Sequence, residues 1–233
     1  MLSRRLFCGC LAAASFTATA VQAQSVCELF TPERQKATSS EQGIAMLKEG
    51  NERFLAGRSV NCDLMSLVKG SASGQSPFAA VLGCIDSRVP PELVFDQKIG
   101  DIFCARVAGN CADTDIIGSL EYSTKVAGAS AIVVMGHSNC GAIKSAVDGV
   151  KMGNITALLK NFEPALKTLT PADGHRDSHN YPLVQKVAEA NARMTAQSLP
   201  KRSKIIADLV ASKQVVIVSA MHDVTTGKVT WLS

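Results

Sequence analysis

The sequence predicts an α/β protein. Its core is a mostly parallel central sheet of four strands plus a short C-terminal edge strand, with helices on both faces and an N-terminal helical arm. Three observations carry that expectation. Short apolar runs at 78–82, 101–107, 129–135 and 214–220 have the length of strands buried on both faces. Stretches of helical periodicity with capping residues separate them. Strands alternating with helices in this way settle into one parallel sheet through right-handed crossovers.

Taken in order, residues 24–40 are polar and fit an extended arm or a short helix. Ile44, Met46, Leu47 and Phe54, with charges between them, make 41–55 an amphipathic helix capped near Ser39 or Ser40 and ended by Gly57. A Gly- and Ser-rich connection over 59–77 has room for a short helix at 64–68. Strand 78–82 follows, and Pro90-Pro91 opens a short helix over 92–95. Strand 101–107 ends at Ala108-Gly109-Asn110. Asp113 or Thr114 can cap a helix running through Ile117, Leu120 and Tyr122 to 126, where Gly128 stops it. Strand 129–135 leads to a helix over 140–150, and 154–169 is helical in pattern but broken or kinked by Pro164. His175 and His179 are four apart, yet Pro171 and Gly174 argue against a helix there, so they read as exposed loop residues without a metal. Helices at 183–199 and 203–211, strand 214–220, a turn at 223–228 and a last strand at 229–232 complete the chain.

The 233 residues divide into an expected signal segment and one domain. A basic start, a mildly apolar stretch to Ala20 and the small residues before Gln24 give 1–23 the layout of a secretory signal. Ser3-Arg4-Arg5-Leu6-Phe7 further resembles a twin-arginine export signal, and the weak hydrophobicity of the stretch agrees with it. Residues 24–233 are then a single domain, with a bacterial periplasm as its expected destination. Without Arg4 and Arg5 the formal charge falls from +4 to +2, and no basic run interleaves with aromatics, which excludes a nucleic-acid binder. The expected mature chain has no apolar run long enough to span a bilayer.

Six of the eight cysteines lie beyond the signal segment. Cys27 and Cys62 sit in polar, loop-like surroundings and are the candidate disulfide in an oxidising compartment. Cys104, inside an apolar strand, reads as a free buried thiol. Cys111 takes no assignment.

Cys84 and Cys140 belong to two motifs that carry chemistry. Gly83-Cys84-Ile85-Asp86-Ser87-Arg88 puts a thiol, a carboxylate and a guanidinium at alternate positions just past an apolar run. About fifty residues on, Gly136-His137-Ser138-Asn139-Cys140 follows another. Two thiolates and a neutral imidazole balance the charge of Zn2+ and leave one of its four positions free. Parallel sheets collect ligands beyond the carboxyl ends of their strands, where Cys84 and His137 are both expected. Arg88 can hold Asp86 ionised through a bidentate pair, and Asp86 can orient a water on the open position.

These two motifs resemble the zinc-binding motifs of the β-class carbonic anhydrases. The likeness extends through 47–54, 100–103, Ala108-Gly109-Asn110, Glu121-Tyr122 and 223–227, and so covers the chain from about residue 40 onward. The resemblance implies one Zn2+ per subunit, held by Cys84, His137 and Cys140. It implies reversible hydration of carbon dioxide to bicarbonate and a proton, with zinc-bound hydroxide as nucleophile oriented by Asp86 and Arg88. It also implies a homodimer or higher homo-oligomer with an apolar substrate pocket at the subunit interface, formed by positions matching Gln75, Phe103, Ala108, Gly109 and Tyr122. Some members close the site by moving the aspartate onto zinc, which would make Asp86 a fourth ligand. Val81 stands where a subset carries the tryptophan of a bicarbonate regulatory site, so no such site is expected. Val107 stands where the family often has Asn.

Two other readings keep the metal. A hydrolase of carbonyl sulfide or carbon disulfide would use the same ligands. A non-catalytic zinc protein would not need the Asp86–Arg88 pair, because structural zinc usually takes four protein ligands. A thiol oxidoreductase is disfavoured by the lack of Cys-x-x-Cys.

Overall fold

Apolar runs of the length seen here bury both faces only at the centre of a layered sheet, and that is where the computed structural model puts the runs at 78–82 and 129–135. It describes residues 27–232; the expected signal segment lies outside these. Five strands form one sheet: β1 (Ala79–Gly83), β2 (Ile102–Arg106), β3 (Ala131–His137), β4 (Val216–His222) and β5 (Val229–Leu232). Their spatial order is β2-β1-β3-β4-β5. All neighbours are parallel except β4 and β5, which are antiparallel. The four long strands and the short terminal one therefore match the expectation.

Alternation along the strands sorts the core into two layers. Ala79, Val81, Ala131, Val133 and Met135 face α2 (Ser40–Leu55) and α4 (Pro91–Val94), packing on Leu47 and Phe95. Ala80, Leu82, Ile132 and Val134 face α5 (Thr114–Glu121), α9 (Tyr181–Arg202) and α10 (Lys204–Ala211). A third cluster gathers at the carboxyl ends of the strands. There Cys84 and Cys140 lie among Ile143, Phe162, Val184 and Val187. Val81, at the position of the subset's tryptophan, is completely buried in the first layer.

Several element boundaries depart from the sequence reading, each for a local reason. The N-terminal arm holds α1 (Pro32–Ala37), with Thr31 accepting the Arg34 N–H as its cap. Ser39 and Gln42 form a reciprocal capping box at the start of α2. The connection after α2 contains α3 (Leu64–Ser71), capped by Asp63. Helix α5 widens into a π-turn over Tyr122–Val126. The helix expected at 140–150 is α6 (Gly141–Val147), because Cys140 is its extended N-cap residue rather than its first turn. The break expected at Pro164 is present, so residues 154–169 do not make one helix. They form α7 (Gly153–Leu159), a 3-10 turn at Lys160–Phe162 and α8 (Glu163–Leu166), with Pro164 in the first turn of the last. Proline has no N–H to continue a helix but fits a first turn.

The expected Cys27–Cys62 disulfide is formed. Cys104 is a correction: it is half-buried, not buried, because β2 is an edge strand with every residue partly exposed. Cys111 is buried. His179 is exposed and pairs with Asp177 at 2.8 Å in the loop before α9. Among the described residues, no helix is long and apolar enough to cross a membrane.

Candidate metal centre

Between β1 and β3 the chain order reverses, since β1 leads outward to β2 while β3 returns on its other side. The crevice beyond the carboxyl ends of such a pair is the usual ligand site of this architecture. Cys84 follows the last residue of β1, and His137 is the last residue of β3. The turn after β3 then bends back through Asn139, whose φ of 56° is a left-handed conformation that Asn tolerates. This returns Cys140 to the mouth of α6.

All three side chains are buried, and their ligand atoms lie within 4.8 Å of one another. Tetrahedral zinc spaces such atoms about 3.5–3.8 Å apart, so the cluster fits the ion with little adjustment. The Nδ1 of His137 lies 2.9 Å from the Ser138 carbonyl. A carbonyl only accepts, so Nδ1 carries the proton and Nε2 presents its lone pair to the cluster. That Nε2 is buried without a hydrogen-bond partner, which a metal would remedy.

The thiols are tuned unequally. The Gly109 N–H donates to Cys84 Sγ at 3.2 Å and the Asp86 N–H at 3.4 Å. A hydrogen bond from Cys140 first, together with these two, holds the Cys84 thiol below its ordinary value. Cys140 is pushed up, chiefly by sharing a proton with Cys84 and by burial, although the first N–H groups of α6 favour its thiolate. Cys84 therefore ionises first, and a cation that replaces the shared proton would make both ligands thiolates.

Asp86 and Arg88 form the expected fork. Arg88 Nε donates to Oδ1 at 2.9 Å and Nη2 to Oδ2 at 2.7 Å, while the Arg88 backbone N–H also reaches Oδ1 at 3.0 Å. The side-chain bonds from Arg88 hold the Asp86 carboxyl far below the usual carboxylate range. Its Oδ2 lies 3.9 Å from His137 Nε2, so the carboxylate looks onto the ligand cluster.

The positions expected to form the substrate pocket distribute less simply. Gly109 touches the site directly. Its φ is 68°, and a Cβ there would lie 2.4 Å from the Phe162 ring, so no other residue fits. Ala108 precedes it in the same turn. Phe103 and Tyr122 instead stand edge to face, with ring centroids 6.5 Å apart, beside the β2 edge in a groove of about 710 Å³. Gln75 lies before the opposite end of β1, in a separate groove. Within one chain, therefore, Gln75, Phe103 and Tyr122 are not brought to the ligand cluster.

Three residues escaped the sequence reading. Arg106 ends β2 and ties down the ligand loop, donating from Nε to the Cys84 carbonyl at 2.8 Å and from Nη2 to the Asp86 carbonyl at 2.6 Å. Asn191 in α9 donates to the Gly109 carbonyl at 2.8 Å. His222 is in register with His137 on β4 and buried, with neither ring nitrogen hydrogen-bonded. A polar residue ending an apolar strand was the only available signal for Arg106 and His222.

Against this geometry, a family model for carbonic anhydrase matches residues 79–229. Carbonic anhydrase 2 of Mycobacterium tuberculosis is 34% identical over 188 residues, 78% of this chain and 87% of that protein. The chain belongs to the β-class carbonic anhydrases. Among solved structures, the Coccomyxa β-carbonic anhydrase in complex with acetazolamide superposes with a TM-score of 0.65 at 24% identity, over 72% of this chain and 77% of the other. One from the Sordaria macrospora study of tetrameric β-carbonic anhydrases gives 0.65 at 23%, over 72% and 87%. At such identities the structures attest the fold. Family membership rests on the sequence matches.

Proposed function

We propose that this β-class carbonic anhydrase is a zinc enzyme that interconverts carbon dioxide with bicarbonate and a proton. The observation that carries the reading is the ligand cluster with an ionised carboxylate beside it. Cys84, His137 and Cys140 offer three ligands, which leaves one of zinc's four positions for a solvent molecule. When bound, zinc would supply the Lewis acidity that makes a coordinated water a nucleophile near neutral pH.

The chain's own residues supply the rest. Held ionised by Arg88, Asp86 can only accept hydrogen bonds. A water between it and His137 must point a hydrogen at Oδ2 and turn a lone pair away from it, toward the substrate. Arg106 and the Gly109 N–H fix the loop so that this direction does not wander. With two thiolates neutralising the metal, this fixed orientation would offset the weaker acidification of the water.

The substrate pocket is proposed to be completed by a second copy of the chain. Ala108 and Gly109 would line it from the same chain. Gln75, Phe103 and Tyr122 would serve a neighbouring subunit, which accounts for their distance from their own cluster. Tyr122, against Phe103 at the open edge of β2, is 54% exposed, and Val126 in the same π-turn is 70% exposed, an apolar surface suited to a homodimer contact. The Cys27–Cys62 disulfide supports export to an oxidising compartment such as a bacterial periplasm. Movement of Asp86 onto the metal would close the site, and the 3.9 Å gap to His137 Nε2 makes that a short excursion.

Exchange of 18O out of labelled bicarbonate, followed by mass spectrometry on zinc-loaded protein, tests the reaction. Catalysed exchange that collapses in Asp86→Ala at unchanged zinc content is the expected result. Exchange at the uncatalysed rate by the zinc-loaded wild type would refute it.

A further inference from the structure

The disulfide lies at the far end of the sheet from the metal ligands, yet it anchors a segment with an evident grip. Cys27 is bonded to Cys62, 35 residues on and just ahead of α3. The Leu29 side chain then wedges beside two glycines: a Cβ on Gly70 would lie 2.6 Å from its Cδ1, and one on Gly100 3.6 Å from its Cδ2. Phe30 packs on Phe78 with centroids 5.1 Å apart, and the Arg34 guanidinium sits 4.1 Å above the Phe30 ring. In α1, Gln35 Nε2 donates to the carbonyls of Pro77 and Ala127, both at 2.7 Å.

The residues so gripped are Gly70 on one side and Pro77 and Phe78 on the other. Between them runs Ser71-Ala72-Ser73-Gly74-Gln75-Ser76, which has no regular structure after the end of α3. A stretch this rich in Gly and Ser has many conformations to lose and few contacts of its own to choose among them. Gln75 is its fifth residue and shares a groove of about 430 Å³ with Leu29, Phe30 and Thr31.

We propose that the disulfide-anchored segment 27–37 is a positioning element for Gln75. It fixes the Gln75 amide so that it can hydrogen-bond carbon dioxide or bicarbonate in the pocket it completes on a neighbouring subunit. This rests on the pocket role given to Gln75 above. Leu29 and Gln35 are the positioning residues, and the disulfide fixes the end of the segment from which Leu29 projects. Misplacing a substrate-binding group by about 1 Å can cost on the order of 100-fold, so a remote clamp is enough to matter.

The test is a double-mutant cycle on zinc-loaded, full-length protein, reading kcat, KM and zinc content. Gln75→Ala is expected to lower kcat/KM about tenfold, the loss of one hydrogen bond to substrate. Cys27→Ser/Cys62→Ser, and separately Gln35→Ala with the disulfide intact, are expected to lower kcat/KM several-fold at unchanged zinc. Neither should lower it further in the Gln75→Ala background, because the clamp acts through that side chain. Equal losses in both backgrounds would mean general loosening and would overturn the inference alone. So would clamp variants that keep full kcat/KM while Gln75→Ala loses it. An inert Gln75→Ala would remove the pocket role itself, and the inference with it. Should the cysteine variant not fold, Gln35→Ala carries the same cycle.

Discussion

Asp86 is close enough to the ligand cluster to bind a metal and is yet committed to Arg88, so the orienting role proposed for it separates cleanly from the ligand role proposed for Cys84. Asp86→Ala is expected to retain zinc and lose about 100-fold or more in turnover, as expected when a reacting group loses its orientation. Cys84→Ala should lose the metal instead. Metal analysis beside the rate assay distinguishes them, and an Asp86→Ala protein without zinc would contradict the orienting role. Arg106→Gln removes both bonds to the ligand loop and should cost about 10–100-fold in metal affinity or activity, the usual effect of losing a residue that supports ligands. Zinc-chelator competition and steady-state kinetics read the two losses. Away from the site, burial first and then the Glu92 carboxylate push the Cys104 thiol well above its ordinary value. It should stay protonated at pH 8 and react with iodoacetamide more slowly than an ordinary thiol, and rapid alkylation there would contradict that surrounding.

At the scale of elements, what the sequence disclosed and what it hid have physical reasons. β1 and β3 were legible because each is an almost unbroken apolar run, and a run of that kind fits only a strand covered by helices on both faces of the sheet. The ligands at their ends followed. β2 misled at Cys104, since an apolar run looks the same at a sheet's centre and at its edge. Only the strand order shows that one side of β2 is open. Arg106 and His222 were missed because the one local mark, a polar residue ending an apolar strand, does not say what that residue meets. Registers such as Gly83 with Arg106 and His137 with His222 bring them to the site. The break in 154–169 was legible at Pro164, whereas the 3-10 turn that seats Phe162 beside Gly109 is something no periodicity reports. Helix packing makes its own prediction at Gly50 in α2, where a Cβ would lie 1.7 Å from the Phe95 carbonyl oxygen. Gly50→Ala should cost at least about 1–3 kcal/mol by forcing α2 away from the backbone at the end of α4. The urea midpoint should fall with an unchanged slope.

At the scale of the molecule, the account joins a stapled monomer to an assembly. By the usual range for native cross-links, Cys27→Ser/Cys62→Ser should lose about 2–4 kcal/mol of stability, measured by urea unfolding. The open β2 edge and the exposed Tyr122 and Val126 predict that Val126→Glu will shift the protein toward monomer in analytical ultracentrifugation and depress turnover with it. A monomer as active as the wild type would show that each chain carries a complete pocket. The central claim is that Cys84, His137 and Cys140 hold a zinc at which carbon dioxide is hydrated. Stopped-flow hydration of carbon dioxide at pH 8 by purified, zinc-loaded protein tests it most directly. The account predicts hydration well above the buffer rate, abolished in Cys84→Ala. Hydration at the buffer rate, with or without turnover of carbonyl sulfide, would contradict it.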